Sequence, residues 1–182
     1  MMRELSLNIM DLAQNSIAAG GTLIEIRIAK YSLLRKLVIV ITDNGCGMES
    51  DELCRAQSAF YTTRSTRSVG LGIPFFKMAA EMTGGNFYIN SQPGTGTRVS
   101  AIFHTGHIDM LPLGDVAETV LLLIICNPNL DFVYRRSLDE RSICLDTREM
   151  RDALGENFPL SSPDVVVWLR EYIREQEESL SE

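Results

Sequence analysis

Apolar and polar positions alternate in blocks whose period changes along the chain. Over residues 1–20, Leu5, Ile9, Leu12, Ser16 and Ala19 recur at helical spacing on one face, and Gly20-Gly21 supply a stop. A helix beginning almost at the N-terminus is predicted. Ile24, Ile26 and Ile28 then alternate with Glu25, Arg27 and Ala29, the period of a half-buried strand. After a polar connection at 31–36, residues 37–41 form an unbroken apolar run, expected of a centrally buried strand. Asp43-Asn44-Gly45-Cys46-Gly47 ends that run with turn formers. Residues 50–59 read as a short helix and 61–69 as a polar loop. Residues 71–83 read as a further helix stopped by Gly84-Gly85, and 87–90 with 97–104 as a hairpin. Helix, two strands, helix, loop, helix, two strands predicts helices on one face of a mixed sheet, an α+β two-layer sandwich.

Gly106, Pro112 and Gly114 mark a boundary near 104–114, dividing the chain into residues 1–105 and a small mixed α/β extension over 106–182. In the extension, 115–126 reads as a core helix, and 132–136 can pair with 143–145. Asp146 or Thr147 can cap a short helix ended by Gly155, and Pro163 can open a last helix striped by Val166, Leu169, Tyr172 and Ile173. Residues 175–182 are expected to be a charged, frayed end, and Trp168 and Tyr172 to be packing residues.

With 182 residues, 45% of them hydrophobic, the chain can bury a core, which excludes global disorder. The formal charge, 17 − 24 = −7, excludes bulk attraction to nucleic acid or anionic lipid as the organising feature. Cys46, Cys54, Cys126 and Cys144 form no C-x-x-C pair, as expected of free thiols in a reducing compartment. No export leader and no apolar run approaching the ~20 residues of a membrane span are visible, so a cytoplasmic location is expected.

Four segments carry candidate chemistry. Asp11 and Asn15, one helical turn apart, share a face, and a carboxylate beside an amide oxygen suits a hard cation such as Mg²⁺ or the activation of a nucleophile. Taken alone, they also fit the solvated side of a helix. Asp43, delivered by a buried strand to the rim of the core, can accept a hydrogen bond from an exocyclic amino group, while Gly45 and Gly47 let backbone pass close to a flat ring. An ordinary Asn-Gly turn would leave the same pattern. Tyr61 to Gly72 joins a hydroxyl-rich loop with Arg64 and Arg67 to a glycine pair opening a helix, a combination suited to phosphates under a mobile lid. Thr97, following Gly94-Thr95-Gly96, could reach an adenine-side water or amide, or simply end a hairpin turn.

Taken together, these segments resemble the nucleotide-binding fold shared by DNA gyrase, the ninety-kilodalton heat-shock chaperone, sensor histidine kinases and MutL, the GHKL superfamily. Asp11 to Gly20 is similar to its N box in a MutL-like version, and Asp43 to Met48 to its first glycine box. Phe60 to Gly72, with Glu81 to Gly85, resembles the histidine-kinase box, lid and following helix, and Gly94 to Thr97 the last box. The resemblance implies a Bergerat-type fold binding Mg-ATP, with adenine on Asp43, Asn15 holding Mg²⁺, and Gly45, Gly47, Met48, Thr63, Arg64, Arg67, Gly70, Leu71, Gly72 and Thr97 around the nucleotide. It casts Asp11 as the catalytic base.

The pattern also departs from its relatives. Aspartate stands where the ATP-hydrolysing members carry glutamate, so a base at Asp11 sits ~1.5 Å further back, one C–C bond. Ala18 offers neither a basic nor an acidic group, which shifts phosphate contacts to Arg64 and Arg67. A stand-alone protein without a phosphoacceptor hairpin is expected, since Asp11 lies so near the first residue; His104 and His107 are read as loop residues. The expected activity is that of a regulatory protein kinase or slow ATPase acting on a protein partner. The alternative is a nucleotide-gated binding module that performs no chemistry.

Overall fold

The computed structural model describes residues 3–57, 72–155 and 159–181. Among these, helices α1 (Leu5–Ala18), α2 (Ser50–Ala56), α3 (Gly72–Met82), α4 (Val116–Cys126), α5 (Thr147–Leu154) and α6 (Pro163–Ser181) accompany six strands. The strands are β1 (Leu23–Tyr31), β2 (Lys36–Asp43), β3 (Asn86–Gln92), β4 (Gly96–His104), β5 (Asp131–Leu138) and β6 (Arg141–Asp146). They form one mixed sheet in the order β3-β4-β2-β1-β5-β6. Each neighbouring pair is antiparallel except β1 and β5, which run parallel with Leu23 beside Asp131 and Lys30 beside Leu138.

Strand alternation produces the two layers. Ile24, Ile26 and Ile28 of β1, Leu37, Ile39 and Ile41 of β2, Val99, Ala101 and Phe103 of β4, and Phe132 and Tyr134 of β5 lie on one side. There they join Leu5, Ile9 and Leu12 of α1, Phe76 and Ala80 of α3, Val120 and Leu121 of α4, and Leu169 and Ile173 of α6 in a single core. The mixed sheet with helices packed on it is the α+β sandwich read from the sequence.

Both sides of the 104–114 segment contribute to this sheet and core, which explains several boundaries. Helix α1 starts at Leu5, the first residue of its apolar stripe. Glu4 offers no side-chain cap, and the first amides find other acceptors: Leu5 and Ser6 donate to the carbonyls of Pro112 and Leu113 at 2.9 and 2.8 Å. Asp146 does cap α5, accepting from the Arg148 amide at 2.9 Å, and Gly155 closes that helix with φ of 76°. The expected fraying of 175–182 is corrected by α6, which runs to Ser181. Its last turns are held because Leu180 is buried and Glu177 accepts from the Tyr134 hydroxyl and pairs with Arg136. Burial raises the Tyr134 pKa well above its usual value, so this hydroxyl stays protonated. Trp168 and Tyr172 stack on each other at 5.3 Å, and Trp168 remains half exposed instead of entering the core. The four cysteines are free and exposed.

Candidate functional site

Strand parity places the first site residue. Leu37, Ile39, Ile41 and Asp43 share the helix-facing side of β2, so the row that builds the core ends in a carboxylate, which is only 8% exposed. The buried stripe of α1 likewise runs Leu5, Ile9, Leu12 and ends in Ser16. The two polar ends meet, with the Ser16 hydroxyl donating to Asp43 Oδ2 at 2.6 Å. Asp43 Oδ1 accepts the amide of Gly45 at 3.0 Å and that of Thr97, its cross-strand partner on β4, at 3.2 Å. A carboxylate offers about four lone-pair positions. Three are filled from within the protein, which leaves one on Oδ2.

The loop after β2 owes its course to glycine. A Cβ on Gly45 would stand 2.8 Å from the Ala19 carbonyl and 3.1 Å from Asp43 Oδ1. One on Gly47, at φ of +66°, would stand 2.0 Å from the Gln92 carbonyl, and one on Gly96, at φ of +113°, 2.0 Å from that of Asp43. These glycines therefore let the loop lie against α1 and the β3–β4 turn. Hydrogen bonds fix the seam: Cys46 N to Ala19 O (2.8 Å), Gly94 N to Cys46 O (2.7 Å) and Met48 N to Ser91 Oγ (2.9 Å). Asn44 turns away to clamp the α1–β1 connection, accepting from the amides of Thr22 and Leu23.

Asp11 and Asn15 are half-buried on α1 beside the Ser16 stripe. Both face the start of α3: a Cβ on Gly72 would come within 3.1 Å of Asp11 Oδ2 and 3.4 Å of Asn15 Nδ2. A side chain at position 72 would crowd the acid and amide. The structure thus brings Asp11, Asn15 and Gly72 together along the second half of α1, and Asp43, Gly45, Gly47, Met48 and Thr97 around the end of β2. Thr63, Arg64, Arg67, Gly70 and Leu71, with the expected lid at 61–69, lie outside the described residues. An aspartate carboxylate and an asparagine amide oxygen are donors of the kind Mg²⁺ takes beside phosphates and water, and the Asn15 atom turned to Gly72 is its Nδ2.

Sequence reasoning missed three contributors. The helical spacing places Ser16 only in the apolar stripe, although a hydroxyl in an otherwise apolar row is itself a signal. Gly21 leaves room beside the same carboxylate: a Cβ there would stand 3.4 Å from Asp43 Cβ and 2.9 Å from the Ser16 carbonyl. Ser91, whose Oγ lies 2.8 Å from Thr97 Oγ1 and accepts from Met48, had no sequence signal beyond its place in a hairpin. The histidines belong elsewhere: His104 ends β4, and His107 accepts from the Asp109 amide in an exposed turn.

The profile of the histidine kinase-, DNA gyrase B-, and HSP90-like ATPases (HATPase_c) matches residues 1–107, more than half of the chain. The chain belongs to this family. A putative sensor protein of Shewanella frigidimarina is 32% identical over 103 residues, covering 56% of this chain but 16% of that protein. The cell-division control histidine kinases PdhS of Brucella canis and Brucella abortus are 28% identical over 115 residues, covering 56% of this chain and 11% of theirs. The chain thus matches only a small part of these relatives. Among solved structures, the N-terminal domain of a DNA repair protein superposes with a TM-score of 0.55 at 16% identity, over 80% of this chain and 52% of that one. Family and fold together make this an ATP-binding GHKL domain.

Proposed function

We propose that this GHKL domain binds Mg-ATP and transfers its terminal phosphoryl group, as a regulatory protein kinase or a slow ATPase. The observation that carries the reading is the convergence of Asp11 Oδ2 and the Asn15 amide on the glycine opening α3. An acid and a metal-competent amide stand there at a helix start, the place where backbone amides and the helix dipole favour phosphate. Asp43 would take the adenine: its one remaining lone pair matches one exocyclic N–H, and its protein partners fix it before the ligand arrives. Asn15 would hold Mg²⁺, which when bound neutralises phosphate charge. Asp11 would accept the proton of the attacking hydroxyl or water. Thr63, Arg64, Arg67, Gly70 and Leu71 would enclose the phosphates.

Calorimetry with Mg-ATP, followed by release or transfer of label from γ-labelled ATP, tests each part. Asp43→Asn is expected to weaken ATP binding by ~1.5–3 kcal/mol, the usual worth of a hydrogen bond to a charged group. Asp11→Asn should leave ATP affinity near wild type while lowering turnover ~10²-fold or more, as loss of a general base does. Equal turnover in Asp11→Asn refutes its role as base. ATP binding without turnover in the wild type, with affinity for a partner that depends on nucleotide, would establish the gated-module alternative.

A further inference from the structure

The face of the sheet turned away from the core differs from the rest of the molecule in charge. Strand pairing lays one row across it, Tyr88, Ser100, Val40, Arg27, Arg135 and Cys144 from β3 to β6. The adjoining row holds Arg98, Thr42, Glu25, Val133 and Asp146, and Lys36 lies further along β2. Arg27, Arg98 and Arg135 are exposed. The acids at the β5–β6 side are already engaged: Asp146 by Arg148 at 2.6 Å and Asp131 by Arg151. Glu25 is left near Arg27, Arg98 and Arg135, with Lys36 at the far end of β2, so among the described residues this face is positive on a chain whose net charge is −7. The helical side is the acidic one; α6 alone carries Asp164, Glu171, Glu175, Glu177 and Glu178 against Arg170 and Arg174.

Arg27 and Arg135 are register partners on adjacent strands, which lie about 4.8 Å apart. Like charges in register destabilise a sheet, and neither arginine makes an ion pair among the described residues. Two arginines at register positions of adjacent strands present forks that match carboxylates, and Arg135 also engages the Cys144 side chain on β6. Exposed Tyr88 on β3 adds apolar contact along the same row.

We propose that this sheet face docks an acidic segment of a partner protein, with carboxylates bridging Arg27 and Arg135 and reaching Arg98. Glu25 decides between a polypeptide and a nucleic acid. It lies one row from Arg27 and Arg135, with Thr42 separating it from Arg98, so acidic residues spaced along a peptide can bracket it, whereas an unbroken phosphate chain meets it directly. A long polyanion also meets the repulsion of the whole chain within a Debye length of ~8–10 Å. This surface lies outside the nucleotide site and does not depend on phosphoryl transfer.

The test uses a fluorescein-labelled deca-glutamate peptide and a labelled deca-thymidylate as probes in fluorescence anisotropy with the full chain. The peptide is expected to bind at 50 mM salt and to weaken about tenfold by 300 mM, as screened ion pairs do. The double variant Arg27→Gln/Arg135→Gln should lose at least about tenfold in affinity, the removal of two charge-assisted contacts. Arg98→Gln, which leaves the pair intact, should lose about threefold and keeps the test available if the double variant misfolds. Arg174→Gln on α6 should change nothing. Absence of peptide binding, equal losses in Arg174→Gln, or tighter binding of deca-thymidylate than of the peptide would each overturn the proposal.

Discussion

Ser16→Ala probes the site at the bond that sequence reading overlooked. The substitution deletes one hydroxyl donating at 2.6 Å to Asp43 Oδ2, and both residues are buried, at 5% and 8% exposure. Alanine suits a helix interior and removes a single atom, so cavity and propensity effects are small beside the lost bond. A hydrogen bond to a charged acceptor contributes ~1.5–3 kcal/mol, and the same carboxylate keeps its two amide donors. A loss of ~2 kcal/mol is therefore expected in urea unfolding without nucleotide. For a chain of this size that corresponds to a fall in Tm of roughly 4–8 °C. Combination with Asp43→Asn decides the origin of the effect. If the two side chains act through their mutual bond, the double variant should be less destabilised than the sum of the singles by ~1–2 kcal/mol. Calorimetry should show ATP binding weakened as well, because a carboxylate that has lost one of its three anchors must be ordered by the ligand. A Ser16→Ala protein within about 0.5 kcal/mol of wild type, or strict additivity with Asp43→Asn, would refute the anchoring role.

Two further outcomes follow from the backbone and from charge. Gly47→Ala should cost more than ~3 kcal/mol and sharply lower soluble yield, because its Cβ would stand 2.0 Å from the Gln92 carbonyl at φ of +66°. Gly20→Ala, with φ of +75° and nothing within 4 Å, should cost only ~1–2 kcal/mol in the same unfolding assay. Asp146 is held below the usual carboxylate pKa, first by the Arg148 side-chain hydrogen bond and then by the Arg148 amide. Its folded pKa lies under the unfolded value, so its contribution is full above about pH 4 and is lost as pH falls through the folded pKa. Hydrogen exchange should show the amides of α5 losing protection over that acidic range, and Asp146→Asn should remove the pH dependence.

Much of the fold was legible because its elements obey simple periods. The alternation of Ile24, Ile26 and Ile28, the run ending at Ile41 and the caps of α5 are local signals, and the structure keeps each of them. Asp43 was legible for the same reason: a carboxylate directly after a buried strand has no other destination than the rim of the core. What eluded the sequence depends on contacts between distant segments. The start of α1 is set by carbonyls more than a hundred residues away, so no local cap announced it. The order of the last turns of α6 comes from Tyr134 and Arg136 on β5 gripping Glu177, which composition alone reads as a solvated charged end. Gly45 and Gly47 were read for their freedom near a ligand, but their neighbours are Ala19 and Gln92, partners that only the assembled sheet brings close.

The parallel pairing of β1 with β5 bears on how the molecule is made. Leu23 and Asp131 are neighbours separated by most of the chain, and a contact of that span closes late, after its loop entropy has been met. On the ribosome, β1 acquires its antiparallel companion β2 almost at once, while its other flank stays bare until β5 has emerged. A bare flank of this kind offers unpaired amides and carbonyls to any neighbouring strand. A nascent chain stalled before residue 131 thus holds the whole stretch that the family profile matches, residues 1–107, together with an adhesive border, and its safe release requires translation to run on past β5.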